Sequence, residues 1–357
     1  STLSSSSAAS DVYKRQEAMA YTVPDTVRVG LESVCKNVAS ASIGVWELQI
    51  GMQKGDGFQR GGVITSSGLF TASPAVGDYI AVDKTMDCAD ALDMAKDMKK
   101  SGLDTYAAYL SGGDWTVYVK DASVSAVEAA ADENASRVSF EGVAITGGEA
   151  PVLVPENAVM MGGNVADTFK LNSMPYRGML TFSVNGSSMT GVNIIGLEEY
   201  LYGVVPSEMP KSYDAEALKA QAVAARTYAM TKLGAHTGSG YQLCDTTACQ
   251  VYKGYSNEAD ATTAAVDATA GEVACYNGSP IEAVFSASTG GYTESSENVW
   301  NAAVPYLRAV PEPGEYGDNS WAKTLTLDEL TALLQAKGEN IGTAKDIVIT
   351  KLSTGGR

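Results

Sequence analysis

Apolar residues in this chain recur mostly in short runs of period two, the spacing that puts every second side chain on one face of a strand. "TVRVGL" (26–31) alternates in this way, and "IGVWELQIGM" (43–52) repeats the pattern after a polar stretch of small residues. From about residue 79 strands and helices alternate. "DYIAVDK" is followed by "DCADALDMAKDMKKSG", where Ala91, Met94, Ala95 and Met98 stand at helical spacing and Gly102 marks a stop. "DWTVYVK" then sets Trp115, Val117 and Val119 against Thr116, Tyr118 and Lys120, and "SVSAVEAAADENAS" reads as a second short helix. This mixture implies an α+β fold of mixed short-strand sheets, with a small β-α-β-type module over 79–145.

The 357 residues, 45% hydrophobic and 19% charged, suffice for two or three packed units. A formal net charge of -17 with no lysine or arginine run disfavours a nucleic-acid partner. No apolar run approaches the ~20 residues that span a bilayer. Residues 1–20 fall outside fold reasoning: "STLSSSSAASDVYKRQ" resembles translated adapter sequence, and "AMA" (18–20) has the small-x-small pattern of a signal-peptidase site, which points to export. The closing "STGGR" follows a strand-like run, so a final strand or two is expected beyond it. Five cysteines leave at least one unpaired, and one histidine, His236, excludes a multi-histidine metal centre.

Two runs joined by Asn185-Gly186 in "YRGMLTFSVNGSSMTGVNII" predict a tight hairpin. A helical pair follows around the candidate active-site loop. The first helix spans Leu197 to Val205 and ends at Pro206; the second starts after an N-cap at Asp214 and runs to Gly234, with Leu218, Ala222, Ala225 and Ala229 as a thin buried stripe. Between them "VVPSEMP" holds a lone acid, Glu208, between Pro206 and Pro210. Two prolines leave the loop few conformations, and apolar neighbours that withhold water favour a protonated carboxyl, the requirement for a general acid at a glycosidic oxygen. The alternative is that Glu208 caps a turn or pairs with Lys211. Strand-like runs return in "CQVYKG", "GEVACYNG", "PIEAVFSAS" and "KDIVITKL", with a helix at "LDELTALLQA" before the last.

"LEEYLYGVVPSEMPKSYDAEALKAQAVAARTYAM" (197–230), "CDTTACQVYKGY" (244–255) and "FSASTGGYTESSENVW" (285–300) together resemble the SpoIID/LytB family of sporulation and cell-wall proteins, densely over about 165 to 321. The resemblance implies a catalytic domain over 150–357, after N-terminal strands over 21–78 and the 79–145 module. That module resembles a SPOR domain, which binds bare peptidoglycan glycan. SpoIID-type members are lytic transglycosylases acting on glycan strands stripped of stem peptides, and Glu208 matches their catalytic glutamate. One carboxylate is enough for that reaction, because the muramic acid's own C6 hydroxyl replaces water as nucleophile.

By the same resemblance Arg226 and Tyr228 fall near the cleft; Arg226 either orients a lactyl or acetamido oxygen or pairs with Glu216 or another acid. Ser286, Ser288, Thr289 and Thr293 around Gly290-Gly291 form either a cleft wall or a tight turn. Gln250 and Tyr252 are further candidate polar contacts, and Trp300 either stacks a sugar or fills the core. Some family members bind zinc in the segment matching "HTGSGYQLCDTTACQVY". His236, Cys244 and Cys249 are suitable ligand types, although Ala248 stands where the family often has histidine. A Cys244–Cys249 disulfide or two free thiols are the competing readings. The reaction itself requires no cofactor. The expected partners are peptidoglycan glycan strands and a wall amidase or other sporulation proteins, in an exported, wall- or membrane-associated setting. The rival functions are a non-catalytic amidase modifier and a pure glycan-binding protein.

Overall fold

The computed structural model describes residues 21–163, 168–312 and 322–353, and the chain divides after Ala283 into two compact units. The expected boundaries at 78, 145 and 150 are not those of the units, because strands from both sides of them share sheets. The lead-in at 1–20 and all of "STGGR" except Ser353 lie outside the described residues.

The first unit is built on two mixed sheets. Its strands are β1 (Thr26–Gly30), β2 (Ala41–Ile43), β3 (Glu47–Lys54), β4 (Gly57–Thr65), β5 (Phe70–Val82), β6 (Asp104–Ser111), β7 (Asp114–Lys120), β8 (Ala135–Thr146), β9 (Val152–Pro155), β10 (Val159–Gly162), β11 (Phe169–Leu171), β12 (Met174–Tyr176), β13 (Met179–Asn185), β14 (Ser188–Gly196) and β15 (Leu243–Cys244). One sheet runs β15-β1-β14-β13-β10-β3-β4. In it β1 is antiparallel to β14, with Thr26 opposite Gly196, and parallel to β15, with Gly30 opposite Cys244. The other runs β12-β11-β2-β5-β7-β6-β9-β8 and closes on itself where β5 pairs with β8 from Thr71–Thr146 to Val82–Ala135.

Within that second sheet the expected module appears as β5, helix α1 (Cys88–Lys100), β6, β7, helix α2 (Val124–Ala131) and β8. Asp87 caps α1 by accepting from the Asp90 N–H at 2.9 Å, and Ala91, Leu92, Ala95 and Met98 face the main core with Trp115, Val117 and Val119. The opposite strand face buries Tyr79, Ala108, Phe140 and Leu153 as a separate cluster. The period-two pattern thus has two apolar destinations here, and even Thr116 is buried, its hydroxyl donating to the Val82 carbonyl at 2.7 Å.

The hairpin of β13 and β14 forms as expected, Asn185 facing Ser188 and Gly186 adopting φ 59° at the first loop position. β14 passes directly into helix α3 (Leu197–Glu208), followed by α4 (Ala215–Lys232) and α5 (Asp260–Ala268). Strands expected at "CQVYKG" and "KDIVITKL" do not form; from "GEVACYNG" only Cys275–Tyr276 is extended and paired, and "PIEAVFSAS" gives only Pro280 to its two-residue partner Ser279–Pro280. "CQVYKG" gives its polar groups to the helical pair instead of to a ladder.

In the second unit the described helices are α6 (Glu297–Trp300) and α7 (Leu327–Ala336), the latter with a reciprocal cap between Thr326 and Glu329. Arg308 donates to both oxygens of Glu297 at 2.8 and 2.6 Å. Among the described residues no helix is long and apolar enough to cross a membrane.

Candidate active site

Helix α3 does not stop at Pro206. Tyr200, Leu201, Val204 and Val205 bury one face completely, and this packing carries the helix through the proline to Glu208. Proline removes its own N–H and its ring crowds the Tyr202 carbonyl, but the N–H groups after it can still bond, so the ladder resumes. The Met209 N–H donates to the Val205 carbonyl at 2.9 Å, and the Ser207 hydroxyl donates to the Gly203 carbonyl at 2.7 Å. Glu208 is therefore the last residue of a helix, not a loop residue between two prolines, and it continues the stripe of Leu201 and Val204.

Glu208 is half-buried. Its Oε1 accepts the Val251 N–H at 2.8 Å, while Oε2 has no hydrogen-bond partner among the described residues. It neither caps the next turn nor pairs with Lys211. Asn257 donates through Nδ2 to the Ser207 hydroxyl at 2.8 Å, fixing the neighbouring residue as well. One carboxylate oxygen is thus held by the backbone and the other is open.

Arg226 proves structural. It is 0% exposed and gives Nε and Nη2 to the two oxygens of Glu198 at 2.8 and 2.6 Å, with Nη1 to the Glu272 carbonyl at 3.0 Å and Nη2 also to Val266. Glu198, in the first turn of α3, is the acid that answers it. It also accepts from the Gly271 N–H at 3.1 Å. Together they tie α3, α4 and the end of α5.

Gln250 and Tyr252 turn inward too. Gln250 is 1% exposed, donating to the Ala225 carbonyl at 3.1 Å and accepting from the Tyr200 hydroxyl at 3.3 Å. Tyr252 is 2% exposed; its hydroxyl donates to Asn193 Oδ1 at 2.9 Å, and its ring lies against Tyr200 and Tyr176. Burial raises the pKa of both phenols, Tyr200 and Tyr252, well above the ordinary value. These residues position the Val251 amide and present nothing to a ligand. Tyr228 is only half-buried, with the Lys232 ammonium 5.5 Å from its ring centre.

His236, Cys244 and Cys249 come together. Their ligand atoms lie within 4.8 Å of one another, with Cys249 Sγ 3.3 Å from His236 Nε2. Both cysteines are free, which removes the disulfide reading, and burial pushes the Cys249 thiol upward. Around a tetrahedral zinc, N and S ligand atoms stand about 3.5–3.8 Å apart. The trio fits three corners in type and roughly in spacing, and no fourth ligand joins it among the described residues.

The glycine pair belongs to the second unit. Gly290 and Gly291 take φ 63° and 93°, the Ser286 hydroxyl donates to the Ser288 carbonyl at 3.3 Å, the Gly290 N–H reaches the Ser288 hydroxyl at 3.4 Å, and Thr289 bonds Glu312. Thr293 Oγ1 donates to the Arg308 carbonyl at 3.1 Å. The tight-turn geometry is real. Trp300 is 55% exposed and fills no core.

Residues 185–276, which carry Glu208, Val251 and the thiol–imidazole trio, match the SpoIID family model, described as Stage II sporulation protein. The chain carries a SpoIID-family domain. The SpoIID stretch is similar to the Amidase enhancer of Bacillus subtilis (strain 168), 49% identical over 130 residues, 36% of this chain and 17% of that protein. It is also similar to Stage II sporulation protein D of the same organism, 38% identical over 163 residues, 41% of this chain and 48% of that protein, and to the Bacillus amyloliquefaciens protein of that name, 39% identical over 155 residues, 39% and 45%. The chain spans less than half the length of each of these relatives.

What sequence reasoning missed is the partner that holds Glu208, the Val251 amide, the Ser207–Asn257 bond beside it and, at the other end of α3, Glu198 as the acid that answers Arg226. A backbone N–H carries no sequence signal. The spacing of Glu198 at the start of α3 and Arg226 late in α4 could have suggested their pairing once the two helices were taken as an antiparallel hairpin.

Proposed function

We propose that this chain cleaves peptidoglycan glycan strands stripped of their peptides, as a lytic transglycosylase with Glu208 as the single acid and base. The observation that carries this reading is the carboxylate itself: half-buried, one oxygen held by Val251 and the other open. Glu208 gives its proton to the glycosidic oxygen as the C1–O bond breaks. It then takes the proton of the muramyl C6 hydroxyl, whose oxygen closes onto C1 as a 1,6-anhydro ring. The proton count balances and no water enters, so no second carboxylate is required.

The name Amidase enhancer on one relative favours a second reading, in which the domain stimulates a wall amidase. Under either reading the protein works outside the cytoplasm at the cell wall, and the module around α1 and α2 would contribute glycan binding. His236, Cys244 and Cys249 would hold a zinc ion, which when bound would brace the fold as a charged cross-link. Because Cys249 and Val251 are two residues apart, that brace would steady the amide on Glu208.

The test is incubation of the purified chain with denuded glycan strands and mass spectrometry of the products. Anhydromuramic ends are expected from wild type, and none from Glu208→Gln, which keeps the shape but lacks the transferable proton. Wild type that binds strands yet releases no such ends leaves only the second reading; cleavage persisting in the variant moves the acid elsewhere.

A further inference from the structure

The segment that holds Glu208 also carries an exposed ring. Residues 251–257 meet the C-terminal half of α3 at three points: the Val251 N–H on Glu208, the Gly254 carbonyl oxygen, which a Cβ on Gly203 would approach to 3.2 Å, and Asn257 Nδ2 on the Ser207 hydroxyl. Tyr255 follows Gly254 directly and opens the 3₁₀ turn Tyr255–Asn257, so its backbone lies between the contacts to Gly203 and Ser207. Gly203 and Glu208 are about 8 Å apart along the helix axis. Ring and acid are thus held by one short stretch of chain.

Tyr255 is braced from one side. Arg177 sets its guanidinium 4.5 Å from the centre of the Tyr255 ring. That guanidinium is itself fixed: Nε and Nη2 donate to the two oxygens of Glu258 at 2.7 and 2.8 Å, and Asn193 Nδ2 donates to the Arg177 carbonyl at 2.8 Å. The backbone leading into the ring is equally confined, since a Cβ on Gly254 would fall 2.5 Å from the Pro175 carbonyl oxygen and 2.7 Å from the Tyr176 ring. With the cation over one face Tyr255 is still 40% exposed, so the exposure belongs to the opposite face and the edge. A ring already ordered in this way loses little side-chain entropy when a ligand covers it.

We infer that Tyr255 is a substrate-binding residue, its free face stacking on the C–H face of a pyranose ring next to the sugar that Glu208 protonates. A pyranose is apolar across its C–H face and polar at its rim, which suits a side chain with an apolar body and a hydroxyl tip. Because the same segment carries the ring and holds the acid, a strand seated on Tyr255 meets Glu208 at a fixed offset. This rests on the glycan reading of the Glu208 site, though not on turnover.

The experiment uses the full chain carrying Glu208→Gln, so that strands stay intact, alone and with Tyr255→Leu, Tyr255→Ala or Tyr255→Phe added. Melting temperature and affinity for denuded strands are measured at about 0.01 M and about 0.15 M salt. Leucine and alanine should each weaken binding about tenfold with little change in melting, and phenylalanine should bind as the parent does. The loss should be the same at both salt concentrations, since a C–H face carries no charge. Unchanged affinity in the leucine and alanine variants, an equal loss in the phenylalanine variant, or a loss that disappears at the higher salt overturns the inference; the last result would assign the effect to the charges of Arg177 and Glu258. No binding by the Glu208→Gln chain itself removes the glycan reading and this inference with it. Absence of anhydro products from wild type, with the Tyr255 effect intact, removes the transglycosylase reading alone.

Discussion

Arg226 shows how a polar side chain inside a functional motif can serve the fold. All its hydrogen bonds go to Glu198 and to the Val266 and Glu272 carbonyls, so truncation strands a carboxylate and two acceptors at once. Arg226→Met should cost about 3 kcal/mol in urea unfolding, because breaking a buried pair from one side leaves the partner charge uncompensated. Adding Glu198→Leu should recover part of that loss, and an additive double variant would mean the two side chains act independently. Lysine should not substitute, lacking the fork that spans both oxygens of Glu198. From sequence, Arg226 in "AARTYA" fits a ligand role and an internal one equally, since charge and position in the chain do not reveal burial.

At the scale of elements, α3 fixes the aim of Glu208 through its packing on the loop that supplies Val251. Gly203 permits that packing: a Cβ there would fall 2.6 Å from Tyr252 Cε2 and 2.8 Å from Cδ2. Gly203→Ala should therefore push the Tyr252 ring and its loop away, destabilising the chain by about 1–3 kcal/mol and slowing glycan cleavage more than the stability loss explains. Cleavage unchanged in a folded variant would show that Val251 is not needed to hold the acid. Much of this element was legible in advance. The cap at Asp214, the alanine stripe of α4 and the turn at Gly186 all follow from local chemistry. Passage of α3 through Pro206 was not, because burial of Tyr200, Leu201, Val204 and Val205 outweighs one missing donor, and burial is a property of the assembled core.

For the whole molecule the governing quantity is charge. At a formal -17 the chain repels a wall polymer bearing lactyl carboxylates. Screening shortens from about 30 Å at 0.01 M salt to about 8 Å at 0.15 M, so cleavage of denuded strands, measured as kcat/KM, should rise over that range. A fall with salt would point to a local basic patch that steers the substrate instead. The sheet order was the least readable level. Alternation announces strands but carries no record of which pair, and residues 26–30 find their neighbours at 192–196 and 243–244, far along the chain. That placement has a practical corollary. β1 is threaded between two strands of the family-matched stretch, so a recombinant fragment trimmed to residues 185–276 would lose the ribbon that joins them. Its two raw backbone edges would then be free to recruit each other from neighbouring copies, and the expected product in a tube is precipitate.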